Sequence, residues 1–406
     1  MRPLRLAVIF DQKIQSGGGY QQSLNAALLT RRLPSDLCET IYFTTVKENI
    51  EALASYGVDA SLIYLSFFDK ANTYLKRVIK HSYFSKIIKS AWADTALQAT
   101  LVSQSIDLVY FLSPSGMARD LDRLNYIITV WDLCHRDDPE FPEVRENWQL
   151  ERRDKKFQSI LPGATAVFVD SELGKKNVAH LYGIDQRRVH VMAFQAAAGA
   201  RALSQAEPRS SINVREKYNL KVPYVIYPAQ FWAHKNHIYL LEGLRALQRD
   251  YGLSIGAIFS GGDQGNLAYV QSYVRKLNLV DQVRFVGFVG NEEMPALYRQ
   301  SIALVMPSYF GPTNLPPLEA FELGVPVLYA DKPGLRDQVG DAALLMDLTD
   351  PGSMARHLAK LVRDEELRLA LIKAGKERLK HIDSVDRLCI LKSILEDFRW
   401  RRACWE

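Results

Sequence analysis

The chain carries the stretch PSYFGPTNLPPLEA at residues 307–320, followed by GVPV at residues 324–327. The apolar run 302–306 before it predicts a buried β-strand, and a helix is predicted to begin near Pro316, because proline suits the first turn of a helix. A polar loop therefore leads into a helix N-terminus, where unpaired backbone N–H groups and the helix dipole attract an anion such as phosphate. Glu319 would lie one turn inside that helix, beside whatever the loop binds.

A second loop of the same kind, AQFWAHKNH, occupies residues 229–237. It follows an apolar run at 224–228 and supplies Lys235 at a strand-to-helix turn. Two turns that favour phosphate in one domain indicate a ligand with a diphosphate group.

Together the two loops resemble the C-terminal domain of group 1 retaining glycosyltransferases of the GT-B fold, which use nucleoside-diphosphate sugars. The last glutamate of the family's E-x7-E motif holds the ribose hydroxyls of the donor, and Glu319 matches it. The lysine of the strand-to-helix turn grips the diphosphate, and Lys235 matches that residue. The resemblance covers most of the chain, since the N-terminal half also carries family features.

Length and composition are those of a globular protein with two domains. The chain has 406 residues, of which 48% are hydrophobic and 24% charged, and this length suits two cores of about 200 residues each. No apolar run of about 18 residues indicates a transmembrane helix. The four cysteines show no zinc-site spacing, so the sequence predicts a protein of the reducing cytoplasm.

The distribution of charge along the chain bears on whether the protein binds nucleic acid or a membrane surface. The net charge of +5 is mild, and without a nucleic-acid-binding motif it does not indicate a nucleic-acid partner. Residues 69–92, however, contain six Lys or Arg and one acid, with apolar residues at helical spacing. Such a helix either lies on an anionic membrane surface, at the inner face of the plasma membrane, or packs on the core with its lysines in solvent.

Short apolar runs alternate with helix-length segments along the whole chain, which predicts parallel strands covered on both faces. The predicted strands are residues 5–11, 39–45, 61–66, 106–113, 126–131, 165–170 and 188–194, and then 224–228, 254–260, 283–288, 303–306, 326–330 and 343–346. The polar stretch 202–212 between the two sets has no period and reads as a linker.

The fold class predicted is therefore α/β, with two doubly wound, Rossmann-like domains and a cleft between them. Residues 1–205 would form the acceptor domain and residues 206–385 the nucleotide-sugar domain. Residues 386–406 read as a helix, which by the resemblance returns to the N-terminal domain.

A glycine-rich turn, SGGGY at residues 16–20, follows the first strand. Glycines at a strand-to-helix turn allow a ligand to approach the backbone closely. The spacing is not that of a dinucleotide or ATP loop, and glycines here also suit an ordinary turn. The resemblance implies that Gly18 and Gly19 face the donor diphosphate.

The stretch TVWDLCHRDDP at residues 129–139 departs from the family. The family commonly has His-Asp where this chain has Trp131 and Asp132, and that histidine usually touches the donor sugar. Asp132 is a candidate for orienting the acceptor hydroxyl, and His135 for binding sugar or phosphate. Alternatively, Asp132 caps the following turn.

A second departure is Gly311, which stands where the family has the first glutamate of E-x7-E, a contact of the transferred sugar. Backbone N–H groups of Thr313, Asn314 and Leu315 are candidates for binding the diphosphate, and the Asn314 side chain for binding the sugar. Two further donor candidates are Gln230, near a common arginine position of the family, and Phe288, in the region whose backbone meets the nucleobase.

No cofactor or metal is expected. The sequence contains no D-x-D or H-E-x-x-H motif, and only His234 and His237 have a spacing that a metal site could use. A lysine and helix dipoles can neutralise a leaving diphosphate without a metal ion. The predicted catalytic residues are Asp132, His135, Lys235 and Asn314.

The predicted function is transfer of a hexose from a nucleoside-diphosphate sugar to a hydroxyl of a cell-surface glycan or lipid-linked acceptor, as in polysaccharide or lipopolysaccharide biosynthesis. The resemblance implies retention of anomeric configuration by a front-side reaction. A catalytically silent glycan-binding or partner-binding protein is one alternative, favoured by Gly311 and Trp131 and opposed by Lys235 and Glu319. A nucleotide-sugar epimerase or hydrolase is another, but the sequence offers no clear acid and base pair for it.

Overall fold

The computed structural model describes residues 2–13, 18–67, 69, 71, 94–196, 212–290, 292–311 and 313–405. The chain divides into two compact units. The first comprises Met1–Asp132, Glu151–Met192 and Asp386–Glu406, and the second comprises Leu133–Leu150 and Ala193–Val385. The predicted boundary at 205/206 lies outside the described residues, as does the basic stretch 69–92 apart from Asp69 and Ala71, so both remain predictions.

In the first unit, the described residues form a seven-stranded parallel sheet of order β3-β2-β1-β4-β5-β6-β7. Its strands are nearly continuous runs of apolar residues, as expected when helices cover both faces. Their bounds are β1 Leu4–Phe10, β2 Cys38–Thr44, β3 Ala60–Leu62, β4 Leu108–Phe111, β5 Asn125–Val130, β6 Ala166–Val169 and β7 Val189–Val191.

In the second unit, six parallel strands have the order β10-β9-β8-β11-β12-β13 among the described residues. Their bounds are β8 Tyr224–Pro228, β9 Gly256–Ser260, β10 Val283–Gly287, β11 Leu304–Met306, β12 Val327–Ala330 and β13 Leu344–Met346.

The α-helices follow the strands in alternation. In the first half of the chain the described helices are α1 Gly18–Thr30, α2 Asn49–Ser55, α3 Ala96–Ser103, α4 Cys134–Asp137, α5 Pro142–Arg145, α6 Gln149–Ile160 and α7 Glu172–Tyr182. In the second half they are α8 Val214–Lys217, α9 His237–Tyr251, α10 Leu267–Lys276, α11 Met294–Arg299, α12 Leu315–Glu322, α13 Leu335–Val339, α14 Pro351–Arg363, α15 Glu365–Asp383 and α16 Arg387–Arg402.

This architecture confirms the predicted fold class of two doubly wound α/β units. Each predicted strand has a counterpart within a few residues, although the run 61–66 yields only the three-residue strand β3. The helix expected near Pro316 begins at Leu315. Leu391, Leu395 and Phe398 of α16 are buried in the core of the first unit.

Strand order identifies where a ligand would bind in each sheet. The chain winds outward in opposite directions from the neighbours β1 and β4 in one sheet and from β8 and β11 in the other. Ligands of doubly wound sheets bind beyond the carboxyl ends of the strands at such a switch point. The loops that the sequence singled out at 229–237 and 307–315 follow β8 and β11.

One feature of the second unit was not predicted. Leu133–Leu150 lies between two segments of the first unit in the sequence, yet it clusters with the second unit. This segment contains α4 and α5.

No helix in the described ranges has both the length and the apolar composition needed to cross a membrane.

Candidate functional site

The two predicted phosphate loops contact each other at the carboxyl edge of the second sheet. Strands β8 and β11 are neighbours, with Ile226 in register with Leu304. Beyond them, the Tyr309 N–H donates to the His234 carbonyl at 2.9 Å, and Lys235 Nζ lies 3.4 Å from Ser308 Oγ. The two loops are thus joined by backbone and side-chain contacts.

The turn that carries Lys235 is held from both sides. Lys235 ends a short 3-10 helix, Ala233–Lys235, and its carbonyl accepts a hydrogen bond from the Tyr227 hydroxyl at 2.8 Å. Asn236 has a φ of +54°, a conformation that asparagine tolerates better than most residues. Its side chain caps α9 by accepting from the Tyr239 N–H at 3.3 Å. The position of the lysine backbone is therefore well determined.

Glu319 lies in α12, on the second loop's helix. Its carboxylate is half-buried and accepts a hydrogen bond from the Tyr298 hydroxyl, with 3.0 Å between the oxygens. Burial raises the pKa of Glu319, and the Tyr298 hydrogen bond opposes that rise. A carboxylate desolvated in this way gains from additional donors, such as a pair of ligand hydroxyl groups.

Asn314 braces the loop in this structure. Its backbone N–H donates to Gln338 Oε1 at 2.9 Å, and its side-chain amide donates to the Phe310 carbonyl at 3.2 Å and to the Tyr329 hydroxyl at 2.7 Å. The groups predicted to meet sugar and phosphate are thus bonded within the protein, and a donor contact would exchange some of these bonds. Thr313 is partly exposed beside it, and Leu315 is buried at the start of α12.

Gly311 occupies a backbone position that excludes a glutamate. Its φ is +101°, and a Cβ would lie 2.8 Å from the Thr313 carbonyl oxygen and 2.9 Å from Asn314 Nδ2. Its N–H donates to Cys134 Sγ at 3.0 Å. Gly311 therefore has a backbone conformation that only glycine adopts without strain.

Gln230 and Phe288 also lie at the carboxyl edge of the second sheet. Gln230 accepts a hydrogen bond from Trp232 Nε1 at 3.1 Å. Phe288 follows β10 and is 83% exposed, although large apolar side chains are usually covered. It therefore offers an aromatic face to a ligand at this edge.

The two histidines of the first loop have different surroundings. The His234 ring is stacked on Phe310 with 4.0 Å between centroids, and its Nδ1 contacts the Glu143 carboxylate. His237 is fully buried, and its ring nitrogens have no hydrogen-bond partner among the described residues. Burial, with nearby Lys235 and His234, lowers the pKa of His237 to about 3. His237 is thus a neutral core residue.

At the carboxyl edge of the first sheet, Gly19 packs on Trp131. Gly18 opens α1. A Cβ on Gly19 would lie 2.6 Å from ring atoms of Trp131, so the indole requires glycine there. Asp132, which follows Trp131, forms an ion pair with Arg153 at 2.6 Å.

His135 and Asp132 belong to different units: His135 lies in α4 of the second unit and is fully buried, whereas Asp132 belongs to the first unit. The role of His135 in binding sugar or phosphate stays a prediction.

Sequence reasoning missed a basic cluster at the same edge of the first unit: Arg119, Arg153 and Lys156. Burial lowers the pKa of Lys156, and the neighbouring guanidinium groups of Arg153 and Arg119 add to this, against Asp11 and Asp132. Asp11 also accepts from the Ser113 hydroxyl at 2.5 Å. Three basic groups and two carboxylates thus lie within electrostatic reach of one another at this edge, where Arg153 is paired with Asp132.

Comparisons with known proteins show which family the second unit matches. Residues 209–378 match the family described as glycosyl transferases group 1. O-antigen chain mannosyltransferase B of Escherichia coli is 25% identical over 56% of this chain and 59% of its own length. A D-inositol 3-phosphate glycosyltransferase of Corynebacterium glutamicum is 27% identical over 65% of this chain and 64% of its own length. The chain thus spans less than two thirds of these relatives.

A solved structure shares the fold. The Anabaena protein HepE in complex with UDP-glucose superimposes with a TM-score of 0.68, at 14% identity, over 99% of this chain and 100% of that protein. Residues 209–378, which lie within the second unit, thus match the group 1 glycosyl transferases, and the two doubly wound α/β units have the GT-B fold of that solved structure.

Proposed function

We propose that this protein transfers a hexose from a nucleoside-diphosphate sugar to a hydroxyl group of a glycan or lipid-linked acceptor. The observation that carries the proposal is the meeting of the Lys235 loop and the Glu319 helix at one switch point. Tyr309 N–H donates to His234 O at 2.9 Å, which brings a cation and a carboxylate from distant parts of the sequence to one edge of the sheet.

The donor has two anchors in this proposal. Lys235 and the backbone N–H groups at the start of α12 bind the diphosphate, because a lysine and a helix N-terminus both favour negative charge. Glu319 accepts hydrogen bonds from the ribose hydroxyls. The fold shared with a protein solved with UDP-glucose supports a donor of this class.

The reaction that we propose is the front-side one that the resemblance to group 1 retaining glycosyltransferases implies. The bond between the anomeric carbon and the donor phosphate oxygen breaks, and the acceptor oxygen bonds to the same face of the sugar, which retains configuration. The acceptor proton passes to the departing phosphate oxygen. Lys235 and the helix dipole stabilise the charge that develops on the leaving diphosphate, so no covalent nucleophile is required.

We assign the acceptor to the carboxyl edge of the first sheet. The cluster of Arg119, Arg153 and Lys156 favours an acceptor that carries a phosphate, as lipid-linked glycans do. Relatives named for transfer to an O-antigen chain and to inositol 3-phosphate are consistent with glycan or phosphate-bearing acceptors. A peripheral position at the cytoplasmic membrane face, through residues 69–92, is part of the same proposal.

The test is a product assay with labelled UDP-sugars and GDP-sugars, each incubated with the protein and a membrane lipid extract. We expect label to enter a lipid-linked or glycan product from one donor series, with the anomeric configuration of the donor as read by NMR. An inverted product would contradict the mechanism. Tight nucleotide binding with no product from any donor would instead favour the silent binding protein, for which the altered loop at Gly311 is the specific observation.

A further inference from the structure

Leu133–Leu150, which we term the inserted segment, packs directly on the proposed donor loops. It is flanked in sequence by residues of the first unit but clusters with the second. Asp138 of this segment accepts hydrogen bonds from Lys332 Nζ at 2.7 and 2.8 Å. This ion pair anchors one side of the segment beyond the end of β12.

Glu143 makes the contact nearest to Lys235. Its Oε1 accepts a hydrogen bond from the His234 backbone N–H at 3.0 Å and also contacts His234 Nδ1. One carboxylate oxygen thus holds both the backbone and the ring of the residue immediately before Lys235. The side chains of Glu143 and His234 are 11% and 10% exposed, respectively.

Aromatic side chains of both His234 and the inserted segment pack on the second loop. The His234 ring is stacked on Phe310 at 4.0 Å with an interplanar angle of 8°. Phe141 lies 5.2 Å from the ring centroids of both Tyr309 and Phe310. Through Cys134, the segment also accepts the Gly311 N–H at 3.0 Å. The inserted segment therefore contacts both loops.

The negative charge of Glu143 strengthens its hydrogen bonds to the Lys235 turn, whereas it opposes direct contact with a donor phosphate. Burial raises the pKa of Glu143, but the hydrogen bonds from His234 outweigh that effect and the pKa lies below its usual value. An ionised carboxylate repels phosphate, whereas one that accepts two donors from the turn fixes its backbone strongly.

We propose that Glu143 is a positioning residue for the donor diphosphate: by holding His234 it sets the place of Lys235. The inference rests on the proposed function, because it assigns the diphosphate to Lys235. If Glu143 had only a structural role, replacing it would change the stability of the protein or lower the affinity for all ligands equally. A positioning role instead predicts a selective loss of the affinity that the second phosphate adds.

The experiment compares Glu143→Gln with wild type by calorimetric titration against UDP, GDP, dTDP and ADP and against the monophosphates UMP, GMP, dTMP and AMP. The matched control is Glu242→Gln, which removes the same charge from a carboxylate that accepts from Tyr273 between α9 and α10. His234→Phe is a second variant, since it keeps the ring stacked on Phe310 but lacks the Nδ1 contact. Glu319→Ala serves as a comparison for loss of the ribose anchor.

We expect wild type to bind one diphosphate more tightly than its monophosphate. In Glu143→Gln and in His234→Phe that advantage should fall by about tenfold, the effect of losing a well-placed charged hydrogen bond, while monophosphate affinity stays within about twofold. Retained monophosphate binding also shows that the variants are folded. Glu319→Ala should lower the affinity for the diphosphate and the monophosphate equally, and Glu242→Gln should change neither affinity.

Equal losses for both nucleotides, or no loss, in Glu143→Gln would overturn the positioning role and leave the proposed function standing. If wild type binds none of the nucleotides, the proposed function fails and this inference fails with it.

Discussion

At the residue scale, the conformation and surroundings of Gly311 leave little room for any side chain at that position. A side chain there meets the Thr313 carbonyl oxygen at 2.8 Å on a backbone with φ of +101°. Restoring the glutamate by Gly311→Glu should therefore destabilise the protein by about 1–3 kcal/mol instead of raising activity.

The control is Gly265→Ala, at φ of +97° with no atom within 4 Å of the added Cβ. It carries the backbone strain without the close contact, so Gly311→Ala should lower the melting temperature more than Gly265→Ala does. Equal or smaller losses at Gly311 would contradict this account of the loop.

The Glu319 carboxylate should lower the stability of the folded protein while it strengthens nucleotide binding. Burial raises the pKa of this carboxyl, so in the folded protein the charged form is disfavoured, and stability is lost as the pH rises through the folded-state pKa. Glu319→Gln, which is neutral, should therefore have a higher melting temperature than wild type at pH 7–8. The difference should shrink below the unfolded-state value of about 4.3.

The same substitution should weaken nucleotide binding, because an amide accepts hydroxyl donors less strongly than a carboxylate. A melting temperature at neutral pH no higher than that of wild type would show that burial of Glu319 is not costly. Conservation of fold between the two proteins can be checked by circular dichroism.

At the element scale, the strands were predictable because parallel strands that are covered on both faces consist of short, nearly continuous runs of apolar residues. The helix after residue 314 was predictable from its prolines. Strand β3 is shorter than its run, since only Ala60–Leu62 pairs with β2. Local patterns of this kind do not indicate which distant residues contact each other. The sequence therefore did not predict that Leu133–Leu150 packs in the second unit, through pairs such as Glu143 with His234.

The candidate site was predictable to the same extent. Lys235 and Glu319 became candidates because each stands at a strand-to-helix turn of recognisable composition. The bonds of Asn314 to Tyr329 and Gln338, and the cluster around Lys156, join residues far apart in sequence. They depend on tertiary packing, which local spacing does not encode.

Helix α16 should depend on a buried ion cluster. Asp107, whose side chain is 1% exposed, pairs with Arg2 at 2.8 Å and contacts Arg402 of α16. Removing the carboxylate takes an ion-pair partner from Arg402, whose side chain is 11% exposed, and an acceptor from the Arg5 N–H. Asp107→Ala should therefore cost about 3–5 kcal/mol, measured by urea denaturation.

Asp397→Ala is the matched control on the same helix. Asp397 pairs with Arg401 in an exposed i,i+4 contact at 2.8 Å, and such pairs contribute about 0.3–0.5 kcal/mol. Similar losses in the two variants would show that the Asp107 cluster does not anchor the helix.

At the scale of the whole molecule, the two sheets carry different charges at their carboxyl edges. The second offers Lys235 and Glu319, which suit a nucleotide, and the first offers the cluster of Arg119, Arg153 and Lys156, which suits a phosphate-bearing acceptor. Lys156→Met should therefore raise the KM for such an acceptor about tenfold, as loss of a charged hydrogen bond does, with donor affinity unchanged.

Lys155→Met removes the same charge from an exposed neighbouring position and should leave both constants close to those of wild type. If Lys156→Met instead weakens nucleotide binding, the basic cluster belongs to the donor and the division of roles is wrong.

The most direct test of the account is calorimetric titration of UDP, GDP, dTDP and ADP into wild type, Lys235→Ala, Glu319→Ala and the control Lys221→Ala. Lys221 is exposed and precedes β8, at the opposite edge of the sheet. We predict that wild type binds one of the four selectively, and that Lys235→Ala and Glu319→Ala each lower that affinity at least about tenfold while Lys221→Ala does not. Wild-type affinity in both site variants, or no binding of any nucleotide by wild type, would contradict the donor site and with it the proposed transferase.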